Sequence, residues 1–280
     1  MFKYIKLIIK KIITLFLPII YKTKIGKYIT EKLSYMSMNS IKEVEYSGCK
    51  LKFTVPNRIN HFRVDTFATK EPETLDWIDT FEKKSTFWDI GANVGLYSCY
   101  AAKNYDCKVY AFEPSIFNLE LLGRNIFLNK LTDKVTIMPT PLAEKLFENK
   151  LNMSNTEWGG SQSTFGADYT YDGSKLEKLF DYKTIGISID ETVSLLNVFQ
   201  PDYIKMDVDG IEHLILKGGK ETLKSVKSIL VEVDENFETQ KKNTSEYLIN
   251  AGFELLAKKH SELFDNTKYK SCFNQIWKKK

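Results

Sequence analysis

Cysteine, histidine and long apolar runs are what this sequence has least of. Its four cysteines, Cys49, Cys99, Cys107 and Cys272, are widely spaced and form no C-x-x-C pair. Neither a thiolate zinc site nor a disulfide framework is expected, and a reduced, cytoplasmic setting fits best. The three histidines, His61, His213 and His260, include no H-E-x-x-H, which excludes chemistry built on several histidine ligands. No G-x-G-x-x-G occurs, which counts against a dinucleotide pyrophosphate at a helix N-terminus. The apolar stretch nearest to a membrane span, Ile12 to Tyr21, is ten residues long and contains Thr14 and Pro18. A span needs ~20. No small-residue cleavage site follows, which argues against a secretory signal. Repeats and low-complexity tracts are also missing.

What is present is the composition of a folded globular chain. Hydrophobic residues make up 43% of the 280 and charged residues 27%, enough to bury a core and to exclude disorder as the overall state. The net charge of +4 is uneven. Residues 1–35 hold eight lysines, Lys3, Lys6, Lys10, Lys11, Lys22, Lys24, Lys27 and Lys32, against the single acid Glu31. That segment is +7, leaving −3 for residues 36–280. A mildly acidic body is a poor nucleic-acid surface, and no nucleic-acid partner is expected. The basic, amphipathic segment reads as a helix lying on a membrane surface, with lysines toward anionic headgroups. Packing on the body of the protein or on a second subunit is the alternative, and amphipathicity alone does not separate them.

Three parts follow along the chain: the basic segment 1–40, a hairpin and helix over 41–84, and a core over 85–280. Residues 44–55 alternate like a hairpin with Ser47-Gly48 at its turn, and residues 70–82 carry Leu75, Ile78 and Phe81 at helical spacing. From Thr86, strands at Phe87–Ile90, Val109–Phe112, Val135–Met138, Tyr203–Met206 and Ile229–Val233 alternate with helical stretches. The expected helices are Gly95–Lys103, Ile116–Asn129, Glu212–Leu223 and Thr239–Ala251, and Phe253–Ala257 with Cys272–Trp277 can close the sheet as an antiparallel pair. This rhythm predicts an α/β fold with a doubly wound, Rossmann-like parallel sheet and ligands beyond the carboxyl ends of its strands. Residues 140–188, with Pro141, Trp158, Gly159 and Gly160, break the rhythm. They read as an insertion, either a lid or substrate wall or a solvated surface loop.

The sharpest signal is Phe87-Trp88-Asp89-Ile90-Gly91-Ala92-Asn93-Val94-Gly95-Leu96-Tyr97. An apolar strand ends on an acid, a turn with two glycines follows, and a helix begins. Glycines there let a ligand approach the backbone. Glu113, 22 residues after Gly91, ends the second strand. A carboxylate at that place can accept from both hydroxyls of a ribose, or it can serve the next helix N-terminus as a dipole partner.

These residues resemble class I S-adenosylmethionine-dependent methyltransferases, and specifically the FkbM family. Three blocks carry the likeness, together spanning about residues 62–233. The first is Phe62-Arg63, Thr66 and Lys70-Glu71-Pro72-Glu73-Thr74-Leu75 with Trp77. The second runs from the Asp89 loop to Phe112-Glu113-Pro114, then Asn125 and Asn129. The third is Ile204-Lys205-Met206-Asp207-Val208-Asp209-Gly210-Ile211-Glu212, Leu216-Lys217-Gly218 and Val231-Glu232-Val233. Where the family usually has D-V-E-G, this chain has D-V-D-G. The resemblance implies O-methylation of a hydroxyl, often on a sugar or natural product, with S-adenosylmethionine as donor. It implies a donor site at Asp89, Gly91, Asn93, Gly95, Glu113 and Asp207. The acceptor it points to is a glycan, its lipid-linked precursor or a lipid-like molecule.

An alcohol is a poor nucleophile, so its proton needs a base or a metal. Asp207, Asp209 and Glu212 are the catalytic candidates. One of them takes the proton, or they hold a divalent cation; alternatively Asp209 and Glu212 merely cap the next helix. Lys205 and Asp207 share a strand face. His213 is adjacent to Glu212 and could be a base, but reads rather as a surface helix residue, and Trp88 and Tyr97 as packing residues. Arg63, Lys70 and Glu71 are expected to line the pocket. The rival readings are a metal-dependent nucleotide-sugar glycosyltransferase, through the Asp207-Val208-Asp209 D-x-D, and an inactive membrane-surface adaptor. A nucleic-acid N-methyltransferase would instead show an N/D-P-P-aromatic tetrapeptide at the fourth strand.

Overall fold

The computed structural model describes residues 2–280, with side chains for all of these except residues 2, 3, 6–10 and 13. Lys3, Lys6 and Lys10, which define the basic helix face in the sequence, thus lie outside the described side chains. The chain opens with α1 (Phe2–Tyr21) and α2 (Lys24–Met38). Thr23 accepts the Gly26 N–H at 2.9 Å and caps α2. A Cβ on Gly26 would lie 1.8 Å from the Ile20 carbonyl oxygen, so only glycine lets α2 start against the end of α1. Leu15, Phe16, Ile19, Ile25, Tyr28 and Leu33 are all exposed. The body of the protein therefore leaves these side chains uncovered. No helix among the described residues is long and apolar enough to cross a membrane.

Next comes a hairpin of β1 (Ile41–Tyr46) and β2 (Cys49–Thr54), with Tyr46 opposite Cys49. Ser47 and Gly48 turn it with φ of 47° and 75°, a two-residue loop whose twist suits paired strands. The helix α3 (Arg58–Asp65), capped by Asn57, has too little apolar periodicity to be seen in the sequence. The helix α4 (Pro72–Ile78) starts on the expected proline and is shorter than the expected 70–82.

The core then alternates as expected: β3 (Thr86–Ile90), α5 (Leu96–Asn104), β4 (Lys108–Phe112), α6 (Ile116–Leu128) and β5 (Val135–Met138). Between β5 and the next core strand stand β6 (Phe147–Met153), β7 (Ser163–Phe165), β8 (Phe180–Gly186) and α7 (Ile189–Leu196). The chain ends with β9 (Tyr203–Met206), α8 (Glu212–Lys217), β10 (Ser228–Asp234), α9 (Glu238–Asn250), β11 (Phe253–Lys259) and β12 (Cys272–Lys279). Expected as irregular, residues 140–188 in fact form an antiparallel sheet in the order β7-β6-β8. Helix α8 stops at Gly218-Gly219, short of the expected Leu223, and only a 3₁₀ turn over Thr222–Lys224 follows.

The main sheet has the order β11-β12-β10-β9-β3-β4-β5. Pairings from β10 through β5 are parallel, and β12 is antiparallel to both neighbours. The expected closing pair is therefore present. Side chains alternate across the sheet. Phe87 enters the core shared with the hairpin and α4, whereas Trp88 and Ile90 enter the core on the opposite face. The chain runs from β3 outward through β4 on one side and later through β9 on the other. The crevice beyond β3 and β9 is the switch point where such sheets bind ligands.

Candidate functional site

The turn after β3 is shaped by its neighbours. The Gly91 and Ala92 N–H groups both donate to the Phe112 carbonyl at 3.0 Å, tying the turn to β4. Gly91 has φ of 84°, and a Cβ there would come within 1.9 Å of the Asp207 carbonyl oxygen. No other residue fits between the ends of β3 and β9. Gly95, at φ of 83°, precedes α5, and a Cβ there would press Leu122 of α6 at 2.5 Å. Asn125 fixes the same turn from α6: its amide donates to the Val94 carbonyl and its oxygen accepts the Thr54 N–H, both at 2.8 Å.

Glu113 is buried at the end of β4. Its two oxygens accept the Asn93 and Ser115 N–H groups, each at 2.8 Å. Burial pushes its carboxyl up to about 7 against the pull of those amides. Each carboxylate oxygen has a second lone pair, and Glu113 lines the main cavity. Asn93, at φ of 51°, donates to the Gly160 carbonyl at 2.8 Å, and its buried Oδ1 has no partner.

That cavity is about 530 Å³, within the size range of small-molecule sites. Gly91, Asn93, Glu113, Asp207, Asp209 and Glu232 are among the residues that line it. Asp207 accepts from the Lys205 ammonium at 3.1 Å. Asp209 sits at φ of 61° and is not the helix cap; its Oδ2 accepts the Gln162 and Ser163 N–H groups at 2.7 and 3.2 Å. Burial, and then the charge of Asp207, raise the Asp209 carboxyl to about 6.

Three expected site residues do not line this cavity. Asp89 is buried behind the turn and accepts the Ser98 hydroxyl at 2.6 Å, bracing α5. Gly95 packs against Leu122, as described. Glu212 is fully buried beneath the Asp209 turn. It accepts the Val208 N–H at 2.9 Å, the Gly210 N–H and the Gln240 amide at 2.5 Å, so its carboxylate is spent on holding that turn. His213, expected on the surface, is buried against Phe237 with its Nδ1 unpartnered. Burial pulls it below the ordinary histidine range.

The inserted segment is a wall of the site. Its Trp158 and Gly159 carbonyls accept from Asn57, Asn60 and Arg63, and Asn118 and Asn93 grip Gly159 and Gly160. With Gln162 and Ser163 on Asp209, the segment bridges the glycine turn and the acid turn. These contacts join residues some 40–100 apart in the chain, so no local pattern announces them. Glu232, at the end of β10, was quoted in the sequence only as part of a matching block. It faces the cavity with no hydrogen bond to its carboxyl among the described residues, and burial beside Asp207 and Glu71 pushes it well above the ordinary range.

Beside the main cavity lies a chamber of about 50 Å³ that shares Arg63, Lys70, Gly91, Asn93 and Asp207 with it. Here Lys70 pairs with Glu71, and the Tyr97 hydroxyl donates to Glu71 at 3.0 Å. The Lys205 ammonium lies 5.4 Å from the Tyr97 ring centre. Tyr97 thus packs in the core and also completes a polar network. Burial raises Glu71, but Lys70 and Lys205 outweigh it and hold the carboxyl at about 2.

The order of the sheet, its glycine turn and the acid closing the second strand define a Rossmann-like, class I type of methyltransferase. The Methyltransferase FkbM domain matches residues 89–257, and the chain belongs to that family. It is a methyltransferase, with S-adenosylmethionine as its donor. It is 28% identical over 189 residues to the hexuronic acid methyltransferase AglP of Haloferax volcanii, covering 68% of this chain and 72% of that protein. Among solved structures it is similar to a precorrin-6y C5,15-methyltransferase from Geobacter metallireducens, at 15% identity and a TM-score of 0.44 over 75% of this chain and 86% of that one. It is similar at 15% identity and a TM-score of 0.43 to M. jannaschii TYW2 in complex with AdoMet, over 86% and 87% of the two chains. Neither likeness is close enough to carry more than the sheet itself shows.

The residues present fit the donor. Glu113 lines the cavity within reach of ribose hydroxyls, Asn93 has an unpartnered buried oxygen, and Gly91 leaves open the space that a Cβ would fill. A cation fits less well. Among the described residues, no group of three or more His, Cys, Asp or Glu side chains is placed to hold a metal ion.

Proposed function

We propose that the protein methylates a hydroxyl of a glycan or of its lipid-linked precursor, with Asp209 as the proton acceptor. One observation carries this reading. A single cavity is lined both by the donor-side carboxylate Glu113 and by the acids Asp207, Asp209 and Glu232. Glu113, Asn93 and the Gly91 backbone hold the donor, which supplies an activated methyl group. Asp209 removes the hydroxyl proton as the oxygen attacks. Its carboxyl, raised to about 6, is ionised at neutral pH yet is a better base than an ordinary aspartate. Asp207 pairs with Lys205, and Glu232, whose carboxyl burial pushes well above the ordinary range, donates a hydrogen bond. The hexuronic acid named for the similar protein supports a sugar acceptor. The D-x-D reading is weaker, because Asp207 is engaged by a lysine and Asp209 by two backbone amides.

The test is methyl transfer from labelled donor to oligosaccharides that contain hexuronic acid and to neutral ones. Label that survives mild alkali is an ether on a hydroxyl. Label released by alkali is an ester on a carboxylate, and that outcome would overturn the hydroxyl reading.

The same reading places the enzyme on the cytoplasmic face of a membrane, where a lipid-linked acceptor would be presented. Support comes from the exposed apolar side chains of α1 and α2 beside Lys11, Lys22, Lys24, Lys27 and Lys32, all exposed. The full chain is expected to sediment with vesicles containing 30% anionic lipid (about a third, a level that attracts polybasic segments). It is expected to be released by about 0.5 M salt, where screening is nearly complete. A Leu15→Asp/Phe16→Asp variant should stay in the supernatant. A wild-type chain that ignores such vesicles, or one whose α1–α2 face is covered in a solution dimer, would count against the membrane.

A further inference from the structure

The main cavity has a rim that the proton-transfer scheme leaves unused. Three segments outside the parallel core stand around it. They are α3 with the turn to Lys70, the inserted wall over residues 158–163, and the connection between β11 and β12 over residues 260–271. Each of them lines the cavity, through Phe62 and Thr66, through Ser161, and through Leu263 and Tyr269. The three are also fastened to one another in a circle. The Trp158 carbonyl accepts from the Asn57 and Asn60 amides at 2.9 and 2.8 Å, and Arg63 Nε donates to the Gly159 carbonyl at 2.9 Å. The Gln162 amide donates to the Tyr269 hydroxyl at 2.9 Å, which joins the wall to the β11–β12 connection. The Ser261 hydroxyl donates to the Thr69 carbonyl at 2.9 Å, which joins that connection to the turn after α3. The Lys70 N–H donates to the Thr66 carbonyl at 2.7 Å and returns the circle to α3. The wall that carries Gln162 also holds Asp209 through its backbone, so the collar stands directly over the acid turn. Phe62 and Leu263 line the cavity and are 55% and 51% exposed, so the mouth lies at these residues of the collar.

A sugar chain lying across the site would have to cross the collar twice, once on each side. Joints of hydrogen-bond length admit no pyranose ring. Volume points the same way. A site for one small ligand takes ~300–1,000 Å³, and here donor and acceptor share about 530 Å³. That leaves room for one sugar unit and not for a run of them. We propose that the acceptor enters the collar end-on, and that the enzyme methylates the non-reducing terminal unit of a glycan to the exclusion of internal units. The inference rests on the glycan reading above and deepens it. The reacting unit sits beneath the collar, and the next unit lies in the mouth, where Phe62 and Leu263 offer apolar surface to the C–H face of its ring. The reducing end, to which a lipid carrier is attached, stays outside. An order of reactions follows. A glycosyl transfer must supply the unit that is methylated, and a further glycosyl transfer onto that unit closes it to this enzyme.

Two tetrasaccharides of equal composition test this, both as alkyl glycosides, with a hexuronic acid at the non-reducing end in one and in second place in the other. Each is incubated with the full chain and labelled donor, and fragmentation mass spectrometry locates the methyl group. Wild type is expected to place it on terminal units, with a preference of about tenfold or more for the terminal hexuronic acid over the internal one, ~1.4 kcal/mol. Tyr269→Phe/Ser261→Ala unfastens the β11–β12 connection at both joints and leaves the acids and the glycine turn untouched. Its preference should drop to about threefold or less, ~0.7 kcal/mol, as internal units gain access. Calorimetry should find its S-adenosylhomocysteine affinity unchanged, which shows that it is folded. Wild type that labels the internal hexuronic acid as fast as the terminal one would overturn the inference, and so would a double variant that keeps the full preference. Label on neither tetrasaccharide would instead overturn the glycan reading, and this inference with it.

Discussion

Asp209→Asn is expected to lower kcat by roughly 10²–10⁴-fold, the range that general-base catalysis supplies, with S-adenosylhomocysteine affinity within threefold of wild type. Asparagine keeps the shape, and its carbonyl oxygen can still accept the Gln162 and Ser163 N–H groups that the carboxylate accepts. The wall therefore stays in place while the proposed proton acceptor is lost. The pH dependence has a definite sign. The base works only when ionised, and the carboxyl is raised to about 6. Wild-type kcat should fall as pH drops through that value and level off above it, and the variant should lack this limb. Glu232→Gln is the comparison. An amide retains a hydrogen-bond donor where a protonated carboxyl stood, so its loss should be smaller. Initial rates with labelled donor from pH 5 to 9 decide the matter. An Asp209→Asn enzyme within threefold of wild type, or a Glu232→Gln enzyme that is worse, would move the proton to Glu232.

The parallel strands and the glycine turn were legible because their signals are local. Phe87, Trp88 and Ile90 are a buried β run, and Gly91 and Gly95 stand where the backbone needs positive φ. The place of Glu113, directly after β4, was legible from its distance to that turn. What stayed hidden depends on contacts between distant residues. Glu212 looked like a reacting acid because it sits beside Asp207 and Asp209 in the sequence, but the first turn of α8 points it inward to Gln240. His213 looked exposed because it follows a run of acids at the start of α8; Phe237, before α9, covers it. The strands of residues 140–188 carry charged residues on their open faces, such as Lys150 and Lys183, which obscured the alternation. Arg63 and Lys70 were named as pocket residues with no role, since only the folded chain shows what they hold.

Gly91→Ala is expected to abolish measurable S-adenosylhomocysteine binding and to destabilise the fold, and Gly48→Ala is its control. Both glycines have positive φ, 84° and 75°, so an L-residue at either position meets a left-handed penalty of about 1–2 kcal/mol. They differ in surroundings. A Cβ at Gly48 meets nothing within 4 Å, because the hairpin turn projects into solvent. A Cβ at Gly91 meets the Asp207 carbonyl oxygen at 1.9 Å and its carbon at 2.9 Å. Those are backbone atoms at the end of the neighbouring strand, and no rotamer change relieves the contact. The turn must move away from β9, and the two N–H groups it gives to the Phe112 carbonyl move with it. Overpacking of this kind adds about 1–3 kcal/mol, a large part of the ~5–15 kcal/mol that holds a typical fold. The displaced turn carries Asn93, whose N–H holds Glu113, so the carboxylate proposed to hold the ribose is disturbed as well. Urea unfolding and calorimetry on both variants test the argument together. Gly48→Ala should lose about 1–2 kcal/mol of stability and bind ligand normally. A Gly91→Ala protein that unfolds like Gly48→Ala and binds S-adenosylhomocysteine within threefold of wild type would show that the turn has more room than its contact with Asp207 allows.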